Sequence, residues 1–549
     1  MNALRRLDPT ALLLAAMAVA GAYIVVLGSK LNFLLDDWGY IVYRQGSDLD
    51  AWLKPDNEHF VAGPVTIWKL LIGVFGIDSM LPYKLVSTAL FLLGAWFLYL
   101  WLRRRVGGWA ALLATALVLF CGAAFDDVLW FASITFLGSM ACGLGMLVAL
   151  DRGDRKGDAI ACALLTGAVL FSSVWVAFWL GALVDIVVRR REQPWPGRLF
   201  LLAVPVVVYA IWWLGWGHEA ESALALHNVG TTPLYVLDSI AAAIAALLGL
   251  AIPVEGTTAP NGLDWGRPLA VALLGLGAWR MYKLPRIPRS LWVVLAIGFA
   301  FWILGGLDVK PGRVASASRY QYPGGVFVLL IAGALLEGVR WQRRLLWPAL
   351  VVVAAAVAAN LVFLHEAYSS YLRTSRLESA DLAAAEIARG TVEPGFRLDE
   401  DIADTGYVGI EVGPYFEAVD AHGSPAWSEA ELLAGGETEK VPADKVLAAA
   451  LRIQLSDLGG RPPGPCRAHS TSAAEPAAVS LPPGGIAIRT ASPVALTLGR
   501  FSQEYPVAVA TTSPGTWQAL RIPTDRSQQP WLLRLGGEGR VTLCGLGTK

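Results

Sequence analysis

Charge is what this chain has least of. Only 16% of its 549 residues are Asp, Glu, Lys or Arg, where a soluble domain carries about 25%. Nor does one sign prevail. Lys plus Arg number 44 and Asp plus Glu number 44, so no global field recruits nucleic acid. Cysteine is scarce: there are five. Cys121, Cys142 and Cys162 lie in apolar stretches and read as small buried hydrophobes. Cys466 and Cys544 bracket the last polar segment; neither has metal-ligand spacing, and a disulfide between them needs an oxidising compartment. There is no internal repeat and no low-complexity tract. No Ala-x-Ala site leads from the apolar start into a soluble domain, which excludes a cleaved signal peptide.

What the chain does have is apolar length. Apolar residues make up 55% of it, with 22 Trp and a mean hydropathy of +0.52. Several uncharged runs of about 17–22 residues can each cross a hydrocarbon core. Basic clusters mark the cytoplasmic side. They fall at Arg5-Arg6, Arg103 to Arg105, Arg152 to Lys156, Arg189 to Arg191, Arg280 to Arg289 and Arg340 to Arg344. Alternating crossings between them give about eleven spans. These are Ala11–Leu27, Pro82–Leu102, Val106–Phe125, Val128–Leu150, Ala159–Phe171, Val174–Val188, Phe200–Trp216, Leu269–Tyr282, Leu291–Leu304, Val326–Val339 and Leu345–Leu364. The N-terminus then lies inside and everything after His365 outside. Tyr235 to Ile252 breaks the alternation and reads as a helix in or dipping into the outer leaflet; a true span with one hidden partner is the alternative.

The expected fold is therefore an all-α polytopic membrane domain over residues 1–365, with a long first outer loop at 28–80. In that loop Val65 to Phe75 reads as an interfacial, Trp-bearing amphipathic helix. A mixed segment over 366–460 follows, helical across Arg376 to Arg389. After the Pro-rich linker Arg461 to Pro465, residues 466–549 alternate in short β-prone runs that suit a small β-sandwich. A Cys466–Cys544 bond would staple its first and last strands.

The polar residues near outer span ends form a set. Asp36 and Asp37 follow the first span, in Leu34-Leu35-Asp36-Asp37-Trp38-Gly39-Tyr40. Glu58 and His59 share its loop. Lys84 opens the second span. Asp126 and Asp127 join the third and fourth. Arg313, Arg319 and Tyr320 precede the tenth. Carboxylates can deprotonate a hydroxyl nucleophile, and Arg and Lys can hold a phosphate. Together they suit sugar transfer from a lipid-linked phosphate to an acceptor hydroxyl. Plainer roles compete. Asp126-Asp127 suits a solvated turn, His59 a cap, Lys84 a side chain snorkelling to head groups, and Arg319-Tyr320 interfacial anchors. His218, Glu219, Glu221 and His227 read as a solvated loop, so no metal site is assigned.

In layout the first 365 residues or so resemble the GT-C class of membrane glycosyltransferases. The likeness is to the bacterial branch akin to protein O-mannosyltransferases and the lipid A aminoarabinose transferase. It rests on Leu35-Asp36-Asp37-Trp38, Asn57-Glu58-His59, Asp126-Asp127 and Ser318-Arg319-Tyr320-Gln321-Tyr322-Pro323. The Trp-Trp-Asp motif of oligosaccharyltransferases is missing. The resemblance implies a polyprenyl-phosphate-linked sugar donor and an inverting displacement at the extracytoplasmic face of a bacterial plasma membrane. It implies Asp36 as base, Asp37 as second acid, Asp126 or Asp127 as the acid after the third span, and Lys84 and Arg319 on the donor phosphate. The acceptor is a glycan, lipid or protein; a divalent cation stays open and no other cofactor is called for. A flippase for polyprenyl-linked glycans would need mid-membrane charge and matching halves. Asp185 is the one clear acid within a span, near a cytoplasmic end, and the halves do not repeat. A non-catalytic scaffold would not need acids and bases on one membrane face.

Overall fold

A computed structural model describes residues 8–220, 224–252, 260–310, 312–339, 343–398, 410–472 and 477–546. The basic pair Arg5-Arg6, Glu221 and the start of the Arg340 to Arg344 cluster lie outside these residues. A helix occupies every apolar run read as a span. Six helices are long and apolar enough to cross a bilayer: Pro9–Gly28, Leu81–Val106, Phe131–Leu150, Trp195–Gly215, Arg289–Leu307 and Leu346–Ile387. Gly108–Leu119 and Gly122–Leu129, bent by 48°, make a seventh if taken as one span. The chain is a multi-pass membrane protein.

The tally by length is thus six or seven among the described residues, against eleven expected. The physical reason is shortness. Arg155–Val169, Trp175–Arg189 and Gln321–Leu335 have 15 residues each, or about 22 Å of helix. Leu263–Lys283 is longer, at 21 residues, but has Asp264, Arg280 and Lys283 in its end turns. The irregular run Tyr235 to Ile252 is the helix Thr232–Leu247, and its half from Ser239 to Leu247 is buried. Asn360 Nδ2 donates to Ala246 O at 2.9 Å, so this half packs in the protein interior.

Local chemistry sets the helix ends. Asp8 caps the first helix by accepting from the Thr10 amide at 3.1 Å, with Pro9 at its first position. Arg103, Arg104 and Arg105 fill the last turn of Leu81–Val106, where cations offset the helix dipole. Arg105 grips Asp151 through two bonds of 2.8 and 3.0 Å. Arg198 bonds Asp158 at 2.8 and 2.9 Å and Asp185 at 2.8 Å, all three side chains being buried.

The chain divides into two compact units. The first is residues 1–30, 46–71 and 80–371; the second is residues 31–45, 72–79 and 372–549. The boundary therefore differs from a single cut at 365. Two pieces of the first loop belong with the C-terminal part, because they pack and bond there: Asn32 Nδ2 donates to Ser379 Oγ at 2.8 Å, and the Ile77 amide to His422 O at 2.9 Å.

The second unit ends in β-structure. A small ribbon pairs β1 (Arg397–Leu398) with β2 (Ile410–Glu411). Next in sequence come β3 (Leu455–Asp457), β4 (Cys466–Thr471), β5 (Ala477–Ser480), β6 (Ile486–Thr490) and β7 (Ala495–Gly499). Then follow β8 (Val507–Thr511), β9 (Gln518–Leu520), β10 (Leu532–Gly536) and β11 (Gly539–Gly545). They form an antiparallel four-stranded sheet, β5-β10-β7-β8, and a five-stranded one, β3-β9-β6-β11-β4. Leu533 and Leu535 are buried while Arg534 is exposed, the alternation of a strand with one covered face. Cys466 and Cys544 stand opposite each other in the β4–β11 register and are joined by a disulfide.

Candidate functional site

In the second unit the turn before the helix Asp37–Val42 presents two carboxylates differently. Leu35 has φ of +49°, a left-handed conformation that costs a leucine about 1–2 kcal/mol. Asp37 holds the turn. Its Oδ2 accepts from the Leu34 amide at 3.0 Å, while its own amide donates to Leu34 O at 3.0 Å. Asp37 is buried and Asp36 half-buried. Trp38 anchors the following helix, with Phe33 and Tyr415 edge-on to it at 6.1 and 5.8 Å. Two acids from the long helix Arg343–Ile387, Glu378 and Asp381, are also buried. The charges of Asp37 and Asp381 act on Glu378. Sequence reasoning missed both, having read that helix only for its alanines.

In the first unit the second acid pair sits on the five-residue helix Phe125–Leu129. Asn360 Oδ1 holds the preceding turn by accepting from the Gly122 amide at 2.8 Å. The Asp126 amide donates to Ser318 Oγ at 3.0 Å, and the Tyr371 hydroxyl donates to the Asp126 carboxylate. Asp127 is fully buried, and neither of its oxygens has a hydrogen-bond partner among the described residues. Asp126-Asp127 is thus a buried pair and not a solvated turn.

The Asn57-Glu58-His59 motif starts on another left-handed residue, Asn57 at φ +51°, a conformation asparagine tolerates. Asp56 and His59 pair through their backbones at 2.9 and 3.2 Å. Glu58 and Asp308 both grip Arg313. Burial raises the pKa of Glu58, but its bond to Arg313 outweighs this and holds it below the usual value. Burial and then the Glu58 charge push Asp308 up. His59 Nδ1 lies 2.6 Å from Ser173 Oγ. Burial pulls this imidazole below its ordinary value, so it is neutral at pH 7.

The cations differ in freedom. Arg313 is shared by two carboxylates. Arg319 is half-buried, donates to Gly312 O at 2.6 Å and stacks over Tyr320 at 5.5 Å. It forms no ion pair among the described residues. Lys84 is fully buried with Nζ 3.5 Å from Val128 O. Its stem runs past Gly28, where a Cβ would come within 2.5 Å of Lys84 Cδ. It therefore does not snorkel to lipid. Asp308, Ser173 and Tyr371 carry no motif of their own and were missed, and Ser318 was read only as the first residue of its motif; the one available signal is that a loop Arg such as Arg313 needs an acid nearby. Among the described residues no three His, Cys, Asp or Glu side chains converge to hold a metal.

The fold and site describe a membrane protein with buried acids and arginines at and near the ends of its helices. No family model matches the chain, and no curated protein does. Solved structures similar to it include two glycosyl-transfer proteins. ArnT from Cupriavidus metallidurans bound to undecaprenyl phosphate has a TM-score of 0.46 and 14% identity, over 77% of this chain and 90% of that one. Arabinosyltransferase EmbB from Mycobacterium smegmatis has a TM-score of 0.37 and 11% identity, over 99% of this chain and 64% of that one. Both scores are below one half, and the functional reading rests on this chain's own residues.

Proposed function

We propose that the chain is a GT-C class glycosyltransferase. It moves a sugar from a polyprenyl-phosphate donor to an acceptor hydroxyl at the extracytoplasmic face of a bacterial plasma membrane. The observation that carries this reading is the division of labour at Asp36-Asp37. Asp37 is buried with one oxygen on the Leu34 amide, and the left-handed Leu35 turn holds its neighbour Asp36 half-buried. Strain of this kind is kept where surroundings over-determine it, commonly at working sites.

In this mechanism Asp36 accepts the proton of the acceptor hydroxyl. The oxygen attacks the anomeric carbon as the bond from that carbon to the phosphate oxygen breaks, which inverts the centre. The leaving phosphate gains charge, and preorganised positive groups contribute most at that moment. Arg319, with no carboxylate partner among the described residues, suits that role. Arg313, shared between Glu58 and Asp308, fixes the Asn57-Glu58-His59 loop. Lys84 supplies a fixed buried charge beside Val128 O. Asp126 and Asp127 shape the donor side, and the C-terminal sheets orient the acceptor.

The test is transfer from a supplied polyprenyl-phosphate sugar by the purified protein in detergent. Asp36→Asn should abolish turnover while elution volume and melting temperature stay unchanged. Full turnover in that variant overturns the assignment.

A further inference from the structure

At the membrane-boundary end of the first unit, five helix ends surround a cavity of about 280 Å³ that the transfer mechanism does not use. Its lining includes Arg105, Arg189 and Arg289 against Asp151, Asp185 and Glu337, with an apolar floor of Trp101, Leu147, Leu150 and Val293. Three positive charges face three negative ones. Arg105 already grips Asp151, and Arg189 bonds Asp185 at 2.9 Å. The more exposed charges are Arg289 and Glu337, at 50% and 42%; Arg289 is held by Glu192, an exposed side chain off the lining, and Glu337 lies 3.8 Å from Arg105. Glu337 accepts from Ser290 Oγ at 2.6 Å.

A net anion gains no net field from so balanced a lining; a zwitterion does. Four of the five helix ends are C-terminal, following Val106, Leu150, Arg189 and Leu335, and they favour a cation; Arg289 starts the fifth helix and favours an anion. The groups facing a bound cation are carboxylates and a hydroxyl, which accept N–H bonds. Trp101 is the single aromatic residue on the lining and is covered by Arg105 at 3.5 Å, so no aromatic cage is left for a quaternary ammonium. Apolar floor and boundary position favour a lipid over a soluble zwitterion.

We propose that this cavity binds the head group of a zwitterionic phospholipid with a primary ammonium, a phosphatidylethanolamine. Its phosphate takes the place of Glu192 on Arg289, its ammonium meets Glu337, and its glycerol end rests on Leu147, Leu150 and Val293.

The test is native mass spectrometry of the full chain. The protein is taken from nanodiscs holding equal phosphatidylethanolamine, phosphatidylcholine and phosphatidylglycerol, and retained lipid is counted. The ethanolamine lipid should be retained about fivefold over choline lipid, the ratio that about 1 kcal/mol from a half-exposed charge pair gives. Glu337→Gln keeps an acceptor for Ser290 and should bring that ratio to one. Val293→Trp, which fills the floor and leaves every charge, should lower retention of all three lipids. Soluble glycerophosphoethanolamine should not compete. Equal retention of ethanolamine and choline lipids, a preference for phosphatidylglycerol, competition by the soluble head group, or an unchanged ratio in Glu337→Gln with Val293→Trp also silent overturns the proposal. Sugar transfer is not the readout, so this result and the fate of the glycosyltransferase reading are independent.

Discussion

Carboxylates in this protein live in two kinds of surroundings. Near the Val106 end of Leu81–Val106 and along Arg155–Val169 and Trp175–Arg189, the buried and half-buried acids are paired with arginine. Asp151 has Arg104 and Arg105, Asp158 has Arg198, and Asp185 has Arg189 and Arg198. At Asp36-Asp37 and Asp126-Asp127 the observed bonds come from an amide and a phenol. The first kind of surrounding neutralises charge and fixes helices. The second holds Asp37 and Asp126 through neutral donors, while the charge of Arg319 acts on both Asp126 and Asp127. The same residue type is a strut in one region and, in the proposed mechanism, a reagent in the other.

The sharpest way to break this comparison is to neutralise one acid of the second kind. Asp36→Asn should reduce transfer by about 10²- to 10⁴-fold and leave thermal unfolding unchanged, as read by a turnover assay beside a melting curve. The converse change belongs to the first kind. Arg198→Leu leaves Asp158 and Asp185 buried without it, and should cost about 3–5 kcal/mol in chemical denaturation. Within one motif, Asp37→Ala removes the acceptor of the Leu34 amide and should cost about 1–3 kcal/mol in the same measurement. Tyr371→Phe, which takes the hydroxyl from Asp126, should cost about 1–2 kcal/mol.

The smallest effect is with pH. Burial lowers the His59 pKa from the ordinary 6.5, so the unfolded chain takes up this proton at a higher pH than the folded one. Stability from neutral His59 is present above that ordinary value and falls as pH drops below it. The melting temperature should fall less between pH 7.5 and pH 5.5 in His59→Gln than in the parent.

Much of this was legible in the sequence, for physical reasons. An apolar run of that length can only be buried in protein or lipid, so each one predicted a helix. The strand runs at Val507–Thr511 and Trp531–Leu535 alternate, and β8 and β10 lie there. What stayed hidden lacks such a pattern. In β4, Cys-Arg-Ala-His-Ser-Thr is mostly exposed and has no apolar alternation to read. Leucine is the wrong residue to announce a left-handed turn, so Leu35 gave no sign, whereas Asn57 could have. Glu378 and Asp381 are three apart and share a helix face. That face is buried, against the ordinary habit of acids, and no periodicity reveals it. The partners of Arg313 come from residues 58 and 308, a meeting made only by the fold.

The order of the five-stranded sheet has a consequence for biosynthesis. β4 pairs with β11 alone in that sheet, and Cys466 waits for a thiol 78 positions later. Synthesis is vectorial and slow, at about 5–20 residues per second. For several seconds β4 has a bare edge, open to pairing with any neighbouring chain. Whatever shields nascent strands should engage this protein there, and hold it until residues 539–545 emerge.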